Sequence, residues 1–228
     1  MTSTQSASSL QVPRAPKAAG GIYVQFGCGL CAPDGWLNFD ASYTLAFERL
    51  PVIGKLYTRN SHRFPPKVRY GDVVRGLPLP DGCAAGVYAS HVLEHLAYDD
   101  CIQALRNTYR LLKPDGIFRL LVPDLEVCAR KYLAALQASS PDANESFMES
   151  TSLGRRHRPR GLAGLLHLWL NGSTHLWMWD GAAMMRALEA QGFRDIRRCS
   201  FHDCEDNMFQ AVEDSSRFQE AVAIEARR

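Results

Sequence analysis

The chain has 228 residues, with 26 lysines and arginines against 24 aspartates and glutamates, for a formal net charge of +2. That length suits one ordinary domain with a sizeable core, and a near-neutral total gives no global electrostatic pull toward nucleic acid. The longest apolar stretch, Leu162 to Leu170, is broken by Gly164 and His167 and is too short to span a bilayer.

Residues 1–20 are rich in Ser, Thr, Gln, Ala and Pro, carry the cations Arg14 and Lys17, and have no apolar signal-peptide core. They read as a disordered tail ahead of a single domain over 21–228, and a cytoplasmic protein is expected. An apolar run over Ile22–Phe26 predicts a first strand that breaks into Gly27-Cys28-Gly29. A second run, Trp36–Asp40, ends on a carboxylate. This order of parts suits a nucleoside held at the carboxyl end of a parallel sheet. The glycines let backbone approach the ligand, and Asp40 accepts hydrogen bonds from a ribose diol.

A dinucleotide site reads G-x-G-x-x-G, with an acid about 20 residues further on. Here Ala32 stands at the third glycine position, Asp40 comes eleven positions after Gly29, and Pro33-Asp34-Gly35 fills the gap as loop. A pyrophosphate needs a helix amino terminus at the glycine turn, whereas S-adenosylmethionine has no phosphate. The spacing favours S-adenosylmethionine over a dinucleotide. The bland alternative is a tight strand-loop-strand with no ligand.

Residues 43–66 form a loop-and-helix excursion, Val68–Tyr70 a short third strand, Pro78 and Pro80 a loop, and Gly86–Ser90 a fourth strand. From Tyr98 to Leu112, the residues Cys101, Ile102, Leu105, Tyr109 and Leu112 recur at helical spacing. Pro114-Asp115-Gly116 predicts a turn, and Ile117–Val122 a buried fifth strand without alternation. Asp124 can cap a helix running to Gln137, residues 138–176 read as an irregular insertion, and Asp180 can cap a helix to Gln191 that Gly192 ends. Phe193–Phe201 and Phe218–Ala226 supply the last two strands. Strands alternating with helices imply an α/β fold with a parallel sheet wound on both faces.

Seven cysteines include a C-x-x-C at Cys28 and Cys31 and a looser pair at Cys199 and Cys204. The spacings do not match a paired zinc knuckle, and an odd number without a secretory signal does not suit a disulfide scaffold. Reduced thiols behaving as small hydrophobes are expected.

Four segments carry a family resemblance. They are Tyr23-Val-Gln-Phe-Gly-Cys-Gly-Leu-Cys-Ala-Pro-Asp-Gly-Trp-Leu-Asn-Phe-Asp40, Ser90-His-Val-Leu-Glu-His-Leu96, Arg110-Leu-Leu-Lys-Pro-Asp-Gly116 and His175-Leu-Trp-Met-Trp-Asp180. In this order they resemble the class I S-adenosylmethionine-dependent methyltransferases, most of all the small bacterial ones found among sugar and polysaccharide biosynthesis genes. The resemblance runs from about residue 22 to 226. It implies a single Rossmann-like doubly wound sheet of about seven strands in the order 3-2-1-4-5-7-6, strand seven antiparallel, with helices on both faces. Residues 138–176 would lie on the substrate side.

The resemblance also implies site residues. Gln25, Gly27, Cys28, Gly29, Asp40, Asp72, Val73, Ser90 and His95 would bind the cofactor. Gln25 stands where many of these enzymes carry an acid near the methionyl amine; its amide oxygen accepts a hydrogen bond without charge, or is simply satisfied inside the sheet. Asp72 falls near the adenine amino group, with Val73 at the ring edge, or else caps a turn.

His91, Glu94 and His95 also match H-x-x-E-H, a zincin pattern, but they follow a short buried strand rather than opening a long helix. Some methyltransferases hold a divalent metal with a similar Glu-x-x-Glu-His segment. His91 replaces the first ligand here, so a metal is the less favoured reading and no metal ligand is assigned. The bland reading of His95 is a core histidine bonded to backbone. His175 and His91 are the candidate catalytic residues, His175 as an exposed general base toward a hydroxyl. Asp180 reads as a helix cap before a catalyst.

Trp169, Trp177 and Trp179 read as a sugar platform or as packing, and the cations Arg155, Arg156, Arg158 and Arg160 as a phosphate contact or a solvated loop. Methyl transfer from a sulfonium is an in-line displacement in a desolvated site. The expected acceptor is a small hydroxylated molecule or glycan, with nucleic acid and membrane not expected and the oligomeric state open. The alternatives are a metal-assisted methyltransferase on an RNA or quinone-like acceptor, and a non-catalytic cofactor-binding partner protein of the same fold.

Overall fold

The computed structural model describes residues 21–50, 63–154 and 174–228. The expectations for the tail over 1–20, the 51–62 part of the excursion, the apolar stretch with Trp169 and the cation run lie outside the described residues. The strands are β1 Ile22–Phe26, β2 Trp36–Asp40, β3 Arg69–Tyr70, β4 Ala84–Ser90, β5 Leu112–Pro123, β6 Arg194–Arg198 and β7 Ala221–Arg227. The described α-helices are α1 Tyr43–Glu48, α2 Tyr98–Leu111, α3 Leu125–Gln137, α4 Ala143–Ser150 and α5 Gly181–Ala190.

The sheet order is β3-β2-β1-β4-β5-β7-β6. β1 through β5 pair in parallel, and β7 runs antiparallel to both β5 and β6. The expected topology is the observed one. One face carries Val24, Phe26, Phe39, Val87, Phe118 and Leu120, packed against Cys101 and Leu105 of α2 and Met184 and Leu188 of α5. The other carries Tyr23, Trp36, Tyr88 and Leu121 under Phe209 and Val212. Burial on both faces is why the central strands read as continuous apolar runs.

Three expectations need correction. The Pro114–Gly116 turn does not precede β5 but lies within it: the register jumps from Ala84 opposite Leu112 to Gly86 opposite Ile117. Asp115, at φ 62°, takes up the extra backbone as a bulge. The 138–176 stretch is not irregular throughout. Its α4 packs on α3, where the Phe147 and Tyr132 rings lie 5.1 Å apart, and Ala143, four residues before Phe147, is buried on the same stripe.

The last strands are also shorter than expected. A buried cation holds the intervening chain in another shape. Arg119 on β5 is fully buried and donates to the carbonyls of Asp203 (2.7 Å) and Ser200 (2.8 Å), to Glu225 on β7 (3.3 Å) and to Glu213. Arg197 adds a 2.7 Å bond to Glu225. Residues 199–220 therefore fold onto Arg119 with 3-10 turns at Asn207–Ala211 and Ser215–Phe218, and 199–201 and 218–220 do not extend as strand.

Candidate active site

The site begins where β1 ends. Gly27 and Gly29 take left-handed φ values of 63° and 54°. A Cβ on Gly27 would stand 2.2 Å from Val92 Cγ2, so glycine is required there by space as well as conformation; around Gly29 the space is open. The Cys28 N–H donates to the Phe39 carbonyl at 3.1 Å. The Gly29 N–H donates to Asp40 Oδ2 at 3.0 Å, and the Ser42 N–H to Oδ1 at 2.8 Å. Residues 27–35 cross to β2 without any helix, so the crossing itself brings no helix dipole to this turn. Asp40 is buried and fixed by two backbone donors, and each carboxylate oxygen keeps a further lone pair for a ligand.

A cavity of about 270 Å³ opens at this point. Phe26 and Gly27 line it from β1, Asp40, Ala41 and Ser42 from β2, Gly71, Asp72 and Val73 from β3, and His91, Val92, His95 and Leu96 from β4. Every wall is thus a strand carboxyl end, where open α/β sheets bind ligands. A larger hollow of about 580 Å³ lies at the amino ends, around Tyr23, Lys113, Asp206 and Arg227, and lacks this constellation.

Six of the expected site residues meet in the cavity wall: Gly27, Asp40, Asp72, Val73, His91 and His95. Asp72 also caps its own turn, with Oδ1 accepting the Val74 N–H at 2.9 Å. Gly71, missed in the sequence, is needed because a Cβ would stand 2.6 Å from Phe39 Cδ1. Ser42 was missed too, although a serine ahead of a helical run signals the cap it provides to Leu45 N–H.

Of the other expected cofactor residues, Gly29 lies in the turn outside the cavity lining, and Cys28, Gln25 and Ser90 stand behind the wall. Cys28 packs with Leu45, Phe64 and Val68, and burial pushes its thiol up to about 12. Gln25 lies between Asn38 and Tyr88 in the sheet register, buried, with Oε1 lacking a hydrogen-bond partner. The Ser90 hydroxyl is likewise buried, next to the Tyr88 hydroxyl, while its carbonyl accepts from Arg217 at 3.2 Å.

A second cluster adjoins the cavity. His91 holds a left-handed φ of 54°, a strained conformation for a non-glycine residue, and its N–H donates to the Leu121 carbonyl at 3.0 Å. Its Nε2 meets the Arg217 carbonyl at 2.9 Å, and its Nδ1 lies 3.4 Å from Glu94 Oε1. Burial works against its charged form, but the Glu94 carboxylate and the Arg217 carbonyl outweigh that and raise its pKa. Glu94 is fully buried, and among the described residues neither of its carboxylate oxygens has a well-formed hydrogen bond, His91 Nδ1 standing off at 3.4 Å.

His95 Nδ1 lies 3.2 Å from the Thr174 carbonyl, which only accepts, so Nδ1 carries the proton. Its Nε2 faces Glu94 Oε1 at 4.0 Å. The backbone bond expected of a bland core histidine is thus present, on a residue that also lines the cavity. His175 stands edge-on to His95, ring centroids 5.0 Å apart, with Nδ1 3.2 Å from Met178 Sδ. Expected as exposed, it is in fact partly buried. Burial lowers its pKa, with Glu94 opposing.

What brings His175 here is backbone: the Leu176 and Trp177 N–H groups both donate to the Glu94 carbonyl, at 2.8 and 3.2 Å. Glu94, His95 and His175 consequently offer ligand atoms all within 4.8 Å of one another. Beyond them Asp180 caps α5 through the Ala183 N–H at 2.8 Å. Trp179 is buried packing, whereas Trp177 and Tyr98 are each 45% exposed with rings 5.0 Å apart.

The family model described as "Methyltransferase domain" matches residues 18–197. No curated protein matches the chain. Among solved structures, it is similar to a SAM dependent methyltransferase from Archaeoglobus fulgidus, with 18% identity, 91% of this chain and 86% of that chain covered, and a TM-score of 0.47. A methyltransferase from Mesorhizobium loti gives 16% identity, 92% and 91% coverage and a TM-score of 0.45. One from Thermotoga maritima gives 16%, 95% and 84%, and 0.48. Among the described residues no helix is long and apolar enough to cross a membrane.

Proposed function

The chain belongs to the methyltransferase domain family, and from that premise we propose that this S-adenosylmethionine-dependent methyltransferase methylates a hydroxyl of a small, sugar-like acceptor. The observation that carries the reading is the cavity at the strand carboxyl ends, with the Gly27 turn on one side and the fixed Asp40 carboxylate on the other. The ribose hydroxyls donate to Asp40, and the adenine edge rests by Asp72 and Val73.

Acceptor chemistry is assigned to the cluster behind His95. His91 has both ring nitrogens engaged, with Arg217 and Glu94, and is read as the charge partner of Glu94 rather than the group that meets the acceptor. His175, edge-on to the cavity-lining His95, is the member that acts on the hydroxyl. The half-exposed rings of Tyr98 and Trp177 beside it suit the apolar face of a sugar. Residues 21–228 act as one catalytic domain, with 138–176 on the acceptor side.

The test is transfer of a labelled methyl group from S-adenosylmethionine to a panel of monosaccharides and nucleotide-sugars, with the methylated atom located by mass spectrometry. Methyl ethers formed by the wild type, with turnover cut by about 10²–10⁴ in His175→Ala and unchanged cofactor affinity, support the reading. Methylation of nitrogen or carbon only, or full turnover in His175→Ala, overturns it.

A further inference from the structure

We propose that Glu94, His95 and His175 form the binding site of a divalent transition-metal cation. Burying a carboxylate away from water is costly unless something charged or hydrogen-bonding meets it. Glu94 is fully buried; His91 Nδ1, at 3.4 Å, meets Oε1 as its charge partner, while Oε2 has no partner among the described residues.

The facing groups sharpen the point. His95 spends an Nδ1 proton on the Thr174 carbonyl, so in the neutral ring the atom it turns to Glu94, at 4.0 Å and beyond hydrogen-bond distance, is the Nε2 lone pair. A lone pair aimed at a carboxylate repels it unless a cation lies between. A ring N–H bonded to a backbone carbonyl is also the arrangement that orients a metal-binding histidine. His175 Nδ1 lies 3.2 Å from the Met178 sulfur, the Thr151 carbonyl also meets the ring, and one ring nitrogen stands as the third ligand atom of the group.

All three ligand atoms lie within 4.8 Å of one another. Around one ion at about 2.0–2.2 Å they would stand about 3 Å apart, a closure that side-chain rotation supplies. Two imidazoles and one carboxylate suit Mn²⁺, Fe²⁺, Co²⁺ or Zn²⁺ better than Mg²⁺ or Ca²⁺, which take oxygen ligands.

His95 also lines the cavity, so a cation held by it would stand beside the cofactor cavity. The cation's part in catalysis rests on the methyl-transfer reading; its binding does not. Bound there, a cation would take the lone pair that His175 otherwise offers as base, and the proton would leave for water from a metal-acidified acceptor hydroxyl. Its oxygen forms the new bond to the methyl carbon as the carbon–sulfur bond breaks, and the electron pair stays on sulfur as S-adenosylhomocysteine.

The experiment is titration of the full chain, stripped with a chelator and desalted, with Mn²⁺ followed by electron paramagnetic resonance. Mn²⁺ is a hard ion that avoids the seven thiols, and its solution signal disappears on binding. One Mn²⁺ per chain is expected, with affinity falling by at least about 10-fold in Glu94→Gln and His175→Ala and unchanged in His202→Ala, an exposed histidine outside the cluster. Circular dichroism checks each variant, and His175→Ala, at a partly buried position, carries the test if Glu94→Gln does not fold.

No saturable Mn²⁺ site, or equal affinity in all variants, overturns the proposal. Calorimetry with S-adenosylhomocysteine separates the two readings. Cofactor binding without a Mn²⁺ site removes the cation alone, while a Mn²⁺ site without cofactor binding upholds the cation and removes the methyl-transfer account.

Discussion

Asp40 does two jobs with one carboxylate. Its oxygens hold the Gly29 and Ser42 N–H groups, and so shape the turn, while their remaining lone pairs face the cavity. Asp40→Asn keeps the shape of the side chain but replaces one acceptor oxygen by a donor. Loss of a charge-assisted contact should weaken S-adenosylhomocysteine binding by about 1.5–3 kcal/mol, read by calorimetry. Unchanged affinity in a folded variant would remove Asp40 from the cofactor site.

Gly27→Ala tests the same turn from the other side. Both its φ of 63° and the 2.2 Å approach to Val92 oppose a Cβ, so the variant should lose about 1–3 kcal/mol of stability in urea. These residues were legible in the sequence because strand, turn and acid follow one another directly. The neighbourhood of His175 was not. Its motif was visible, but what sets it beside Glu94 is a pair of bonds from Leu176 and Trp177 to a distant carbonyl, which no local pattern encodes.

At the scale of elements, Asp180 separates capping from chemistry. Its carboxylate accepts the Ala183 N–H, so Asp180→Ala should cost about 0.5–2 kcal/mol in thermal or urea unfolding and leave cofactor affinity alone. A loss of turnover beyond that of fold stability would return Asp180 to the catalytic list. The Arg119 network makes a larger demand. Arg119→Met leaves the Glu213 and Glu225 carboxylates without their central cation in a buried setting, and about 3–5 kcal/mol should be lost from the urea midpoint.

Strands β1 and β2 match their expected bounds because apolar runs flanked by glycine or loop residues are self-contained signals. The ends of β6 and β7 did not match, since Arg119 recruits residues 199–220 through partners far away in sequence. The bulge at Asp115 was read as a turn for a related reason: a Pro-Asp-Gly run looks the same whether it ends a strand or bends one.

For the whole molecule, the order β3-β2-β1-β4-β5-β7-β6 brings the ends of four parallel strands to one cavity, and the loop after β1 replaces a crossover helix. That exchange is what turns the site from phosphate toward a sulfonium nucleoside. The central claim is that S-adenosylmethionine lies in this cavity with its ribose on Asp40, and the most direct measurement is a crystal structure of the chain with S-adenosylhomocysteine. The account predicts the ligand between the Gly27 turn and Asp72, both ribose hydroxyls within hydrogen-bond distance of the Asp40 carboxylate, and sulfur turned toward His91 and His95. A ligand in the hollow by Tyr23 and Arg227, or a ribose that does not touch Asp40, would contradict it.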